Sequence, residues 1–190
     1  MVLQLDLSGN ELCGLSYYND GDGTYTAEGI TAIADALRVN GALTVIDLRY
    51  NKLDAESAKL LAEVAKQKGI SLCGIRRDQT TADFSDQDLN PPDAILLASD
   101  LSQAVVTGAL TATNLLGNKL DAESAKMLAE VAKQKGISLC GIQRDQTIAD
   151  FSPHARQGRG PPMRYGPPDA ILLASDLSQA VVTGALTEVR

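Results

Sequence analysis

One histidine, His154, and three cysteines, Cys13, Cys73 and Cys140, bound the chemistry this chain could perform. A lone imidazole argues against a His-based metal centre and against a Ser-His or Cys-His nucleophilic pair. The cysteines stand far apart, each in a Leu-Cys-Gly triplet, and an odd number at this density is no disulfide framework. They read as small buried hydrophobes that share one structural slot, in a reducing, cytoplasmic compartment. Asn19-Asp20-Gly21-Asp22-Gly23 has the composition of a calcium loop. Placing Gly23 at the invariant glycine, however, puts Tyr18 and Gly29 where Asp and Glu ligands are required, so the stretch reads as an acidic turn. Asp54 and Glu56 are close enough in sequence to act as paired carboxylates, but they fall where a helix begins, and cap and first-turn charge explain them. There is no G-x-x-x-x-G-K-S/T loop and no G-x-S-x-G elbow. The expectation is a non-enzymatic protein with no catalytic residue, no metal and no cofactor.

The charge balance narrows the partners. The 190 residues carry 24 acidic and 17 basic side chains, a net charge of -7. Nucleic-acid binding needs clustered Lys and Arg, so it is not expected. A membrane span is not expected either, because the longest apolar stretch, Ala94 to Val106, is short and contains Asp100. The first residues, Met1 to Asp6, lack the basic start of a signal peptide.

Positioning elements emerge from an internal duplication. Asn51 to Ser85 recurs as Asn118 to Ser152 with three changes: Met127 for Leu60, Gln143 for Arg76 and Ile148 for Thr81. Pro91 to Thr111 recurs unchanged as Pro167 to Thr187. Within these blocks a shorter pattern repeats. Leu43, Ile46, Leu48, Asn51 and Leu53 hold the same spacing as Val2, Leu5, Leu7, Asn10 and Leu12, and as Leu110, Thr113, Leu115, Asn118 and Leu120. Apolar residues alternating with Asp6 or Asp47 have the period of a strand with one buried face. The Asn falls where the chain must turn, and its side chain can bond backbone groups left without ladder partners.

Helix signals follow each strand. Asp54 caps Ala55 to Lys68, which ends at Gly69, and Asp121 to Gly136 repeats these features. A second helix type begins at Pro92 and runs to about Val105, with Pro168 to Val181 as its copy. A further helix, Ala27 to Val39, takes Thr26 as its N-cap. Between the two helix types, Leu72 to Ile75 and Ala82 to Phe84 read as strand cores. The second is a degenerate repeat with Phe84 in the sixth slot and Gln87 in place of Asn.

LDLSGNEL, IDLRYNKL and NLLGNKL, each leading into a helical segment, resemble the L-x-x-L-x-L-x-x-N-x-L signature of leucine-rich repeats. Units of about 27 residues with a full helix resemble the ribonuclease-inhibitor-like subfamily. The resemblance implies an α/β solenoid, a horseshoe segment with parallel strands on the concave face and helices on the convex face. It also implies a single domain over 1–190, an Asn ladder along the stack, and protein binding through the concave face. On that face Gln4, Asp6, Ser8, Val45, Asp47, Arg49, Tyr50, Ala112, Asn114 and Leu116 are expected to point to solvent. Asp6, Ser8, Asp47, Arg49, Tyr50 and Asn114 are the expected partner contacts, with Arg49 and Tyr50 as anchors. The Pro/Gly-rich insert 153–166 reads as a basic surface loop that offers Arg156, Arg159 and Arg164 as a further contact.

Two other readings stand beside this one. Inhibitors and GTPase activators within the family imply a regulator of a partner enzyme. The third reading is a fragment of a repeat array without a settled role, because neither end carries a capping segment. Uncapped ends would expose Leu5, Leu7 and Leu186 and favour self-association.

Overall fold

The computed structural model describes residues 3–15, 23–152 and 165–190. The duplicated helices form where local chemistry places them. In α2 (Ala55–Lys68) the Asp54 carboxylate accepts the Ser57 N–H at 2.7 Å, and Gly69 closes the helix at φ 67°. In α5 (Ala122–Lys135) Asp121 and Ser124 repeat the bond at 2.7 Å, and Gly136 closes at φ 65°. A left-handed residue at a helix end suits glycine because no Cβ meets the preceding carbonyl. α1 (Glu28–Val39) starts one residue later than the sequence suggests. Its N-cap is Ala27, which makes no side-chain cap bond, while Thr26 Oγ1 accepts the Glu28 N–H at 3.2 Å.

Contacts gather into two compact units, one of residues 1–79 with 89–108, the other of 80–88 with 109–190. In the first, β1 (Leu3–Asp6) and β2 (Leu43–Asp47) pair in parallel, with Leu5 opposite Ile46 and Asp6 opposite Asp47. Ser71 to Gly74 adds a third rung: Ile46 N–H reaches Ser71 O at 2.9 Å and Leu48 N–H reaches Leu72 O at 2.9 Å. α1 packs on α2, and α2 packs on α3 (Pro91–Ser102), which is followed by the short α4 (Ala104–Thr107). Ile46, Leu48, Leu61, Leu72 and Leu96 are wholly buried.

The second unit repeats this plan. β3 (Thr81–Asp83) pairs in parallel with β4 (Ala112–Asn114), with Asp83 opposite Asn114. Ser138 to Gly141 supplies the third rung, through Thr113 N–H to Ser138 O at 2.7 Å and Leu115 N–H to Leu139 O at 2.9 Å. β5 (Ile148–Ala149) and β6 (Glu188–Val189) form a further parallel pair. α5 packs on α6 (Pro167–Leu177), which leads into α7 (Ala180–Thr183). Leu115, Leu128, Leu139 and Leu172 form its core. The described residues thus make a mixed α/β structure of seven helices and six short strands, compatible with an α/β repeat fold.

The second helix type departs from the sequence reading. It is interrupted at Gln103, which is extended at φ -98°, ψ 108°. The Gln103 side-chain amide reaches Ile70 O at 3.4 Å and Ser99 O at 3.2 Å, bonds a continuous helix would not make. Gln179 interrupts the copy in the same way. Asn90 caps α3 and forms a reciprocal box with Asp93. Gly166 has no side chain to offer, so at α6 only the Asp169 half survives, at 2.7 Å.

The third rungs depend on two carboxylates, Asp100 and Asp176, to which the sequence assigned no role. Asp100 on α3 is wholly buried and accepts Ser71 Oγ–H at 2.7 Å, Leu72 N–H at 2.8 Å and Cys73 N–H at 3.0 Å. Asp176 on α6 does the same for Ser138, Leu139 and Cys140. Buried amides must find acceptors, and here an acid from the following helix supplies them. Burial pushes the Asp100 carboxyl up to about 7 against the pull of these three donors. Burial raises Asp176 likewise.

Candidate functional site

The strand face was expected to carry the site, and a local turn organises it. At the ends of the first five strands a side-chain oxygen accepts the N–H two residues on: Asp6 from Ser8 at 2.9 Å, Asp47 from Arg49 at 3.1 Å, Asp83 from Ser85 at 3.0 Å, Asn114 from Leu116 at 3.2 Å and Asp150 from Ser152 at 2.9 Å. Asp and Asn favour such turns because their oxygens reach this amide. The Asp6 hydroxyl and amide bonds from Ser8 hold its carboxyl below the usual range.

The asparagines one turn later lace the rungs together. Asn51 Nδ2 donates to Leu48 O at 3.0 Å and to Leu7 O of the neighbouring rung at 2.9 Å. Asn118 Nδ2 does the same for Leu115 O and Phe84 O, each at 2.8 Å. Gln87, the departure from the Asn pattern, keeps a version of the bond, donating to Asp83 O at 3.0 Å. The residue before each Asn is left-handed: Gly9 at φ 66°, Tyr50 at 62° and Gly117 at 74°. The first turn of the second helix type holds two of these amides, Tyr50 N–H by Asp93 at 3.2 Å and Gly117 N–H by Asp169 at 2.8 Å, while Gly9 N–H donates to Arg49 O at 3.0 Å.

The six expected contact residues are therefore distributed as follows. Asp6 and Ser8 lie at the open end of β1, bonded to one another. Asp47 and Arg49 form a two-pronged pair, Nε to Oδ1 at 2.9 Å and Nη2 to Oδ2 at 2.6 Å, with side chains only 13% and 14% exposed. Arg49 also lies over the Tyr50 ring, 5.4 Å from its centroid. Burial works against the Arg49 charge, but the Asp47 bonds outweigh it and hold the proton more tightly than usual. Asn114 is partly buried beside Gly141. Arg156, Arg159 and Arg164 lie outside the described residues, as do His154 and the Asn19 to Asp22 turn.

Three residues expected on the open face are buried instead: Val45, Ala112 and Leu116. Val45 and Ala112 are bridged to Ser71 and Ser138, so the third rung closes against them. Leu116 occupies the slot of Arg49 but has no charge to keep in water, and its burial follows from apolar transfer. Burial of the cysteines matches expectation, and all three are free. They do not share one slot. Cys73 and Cys140 lie on third rungs under Asp100 and Asp176, whereas Cys13 follows Asn10 at the position that Asp54 takes after Asn51.

In the second unit the face opens into a recess of about 190 Å³, bordered by Thr81, Asp83, Asn114, Gly141 and Gln143. A carboxylate, amides and a hydroxyl make it a place for hydrogen bonding. Among the described residues no group of three His, Cys, Asp or Glu side chains could hold a metal ion, and no helix is long and apolar enough to cross a membrane.

No protein-family model matches the chain. Among curated proteins it is similar to NACHT, LRR and PYD domains-containing protein 13 from Homo sapiens, 30% identical over 122 residues. Those residues are 64% of this chain and 10% of that protein, so the chain spans about a tenth of the length of this relative. The name of that relative includes leucine-rich repeats.

Proposed function

We propose that the chain is a non-catalytic protein-interaction module of the leucine-rich repeat type, a segment of curved solenoid in the manner of the ribonuclease-inhibitor-like subfamily. Its partner is a protein, bound across the strand face by exposed and partly exposed side chains such as Asp6, Ser8, Asp47, Arg49, Tyr50 and Asn114. The observation that carries this reading is the repeated lacing of parallel rungs, Asn51 to Leu7 O and Asn118 to Phe84 O. The similarity to a human protein named for leucine-rich repeats supports it. Repeated strand–helix units present extended area in place of a cleft, which suits recognition of another macromolecule. Three buried free thiols suit a reducing, intracellular setting.

The test is affinity capture with the full chain and charge-introducing variants. Gln4→Arg and Ser8→Arg alter the strand face, and Glu56→Arg, on an exposed turn of α2, is the control. A partner lost with the first two and kept with the third is the expected result. Loss only with Glu56→Arg would place binding on the helices and end the strand-face reading.

A further inference from the structure

We propose that the recess bordered by Thr81, Asp83, Asn114, Gly141 and Gln143 takes the guanidinium of an arginine side chain presented by the partner protein. This rests on the strand-face reading and names what the face recognises.

The two copies supply the argument. In the first unit the strand-face carboxylates have their own cation. Arg49 grips Asp47 with two bonds, and its charge also lowers the Asp6 carboxyl, after the Ser8 bonds that dominate there. Arg76, two residues beyond Gly74, carries a further charge beside this rung and pairs with Asp78 at 3.7 Å. In the β5–β6 pair, Arg190 is bonded through its backbone on either side of Asp150, N–H to Ala149 O at 2.9 Å and O from Phe151 N–H at 2.8 Å. Arg49 thus neutralises its strand-end aspartate directly, whereas Arg190 stands beside Asp150 with its guanidinium bonded to Glu188.

The β3–β4 pair differs. Its carboxylate, Asp83, faces Asn114, and the slots of Arg49 and Arg76 hold Leu116 and Gln143. Leu116 turns inward, and Gln143 is one of three differences between otherwise identical 35-residue strings. Asp83 Oδ1 is satisfied by the amide and hydroxyl of Ser85, and no lysine or arginine among the described residues pairs with the carboxylate. Gly141 keeps the floor low: it is left-handed at φ +77°, and a Cβ there would meet Asn114 Cβ at 3.3 Å. What remains is an open space of about 190 Å³ with negative charge at its rim and amide oxygens within it, and with no counterpart of the Arg49 that neutralises Asp47 in the other copy. A guanidinium is planar, always charged and carries five donors in a fixed fork, so it can engage the carboxylate and amide oxygens together. An ammonium has the charge without the fork, and citrulline has the shape without the charge.

The probe is the peptide acetyl-Gly-Arg-Gly-amide, titrated into the ¹⁵N-labelled full chain and followed by the Gly141 amide and the Asn114 and Gln143 side-chain amides. Saturable shifts are expected there, with affinity about tenfold weaker for the lysine and citrulline peptides, the size of one lost charge-assisted contact. Asp83→Asn keeps an acceptor for Ser85 while removing the charge, and should weaken binding by a similar factor. Gln143→Arg restores the residue that the first copy tolerates at this position and should block the recess, with the amide spectrum otherwise preserved. Absent shifts, equal response to the citrulline peptide, or binding unchanged in both variants would overturn the proposal. The two levels of the reading fail separately. If the recess ignores arginine while Gln4→Arg still abolishes partner capture, the strand face survives and the recess does not. If capture ignores every strand-face change, the face itself is refuted.

Discussion

Replacing Asn51 with alanine tests the lacing of the rungs most directly. Asn51 Nδ2 donates to Leu48 O at 3.0 Å and Leu7 O at 2.9 Å, with a longer approach to Arg49 O at 3.3 Å. Removing a partner from a buried acceptor costs about 1–3 kcal/mol; that applies to Leu48 O, while the part-buried Leu7 O keeps its bond from Asn10. Part is recovered, because Asn51 Oδ1 is itself buried without a partner and leaves with the side chain. The expected net loss is about 1–2 kcal/mol. Asn10, at the equivalent position, is exposed and bonds only its own turn, at Leu7 O and Ser8 O. Water can replace those bonds, so Asn10→Ala should cost about 0.5 kcal/mol. Asn51→Asp is the sharper control, since a carboxylate would face carbonyl oxygens and should cost more than alanine. Urea denaturation followed by far-ultraviolet circular dichroism measures all three. If Asn51→Ala and Asn10→Ala lie within about 0.5 kcal/mol of each other, the inter-rung bond carries no stability and the argument fails.

Further outcomes follow from burial and charge. Leu48→Ala should cost about 2–5 kcal/mol because Leu48 is wholly buried, whereas Leu5→Ala, at a side chain 44% exposed, should cost well under half as much; equal midpoints would refute the rung assignment. The Asp100 carboxyl titrates near 7 in the fold against 3.8 in the unfolded chain, so between these values the folded state binds the extra proton. Stability should accordingly fall as pH rises from about 4 to 7 and level off above that. Below 3.8 the trend reverses, because Asp54 and Asp121, lowered by their Ser57 and Ser124 bonds, lose their caps on protonation. Denaturation midpoints should therefore peak near pH 4, and Asp100→Asn combined with Asp176→Asn should flatten the fall; a wild type more stable at pH 8 than at pH 5 would contradict this. Burial raises the Cys73 and Cys140 thiols, so iodoacetamide should label them only after denaturant is added, as mass spectrometry of the intact chain would show.

Local chemistry is what the sequence determined. The Leu and Asn spacing placed the strands, and Asp54, Gly69, Asp121 and Gly136 bounded two helices to the residue, because caps and strand turns depend on neighbours a few positions away. The candidate face was legible as a set of residues but not as a surface. Val45 and Ala112 looked open until third rungs lay against them.

Asp100 was out of reach in the same way, since its partners, Ser71 to Cys73, come from a distant stretch of chain that no helix pattern announces. The duplication makes the division plain. Leu101 and Leu177 sit in identical 21-residue strings, yet the first is wholly buried and the second is 49% exposed. Secondary structure repeats because it is written in nearby residues. Burial does not, because it depends on what is packed against a side chain, and that is decided only when the whole chain has folded.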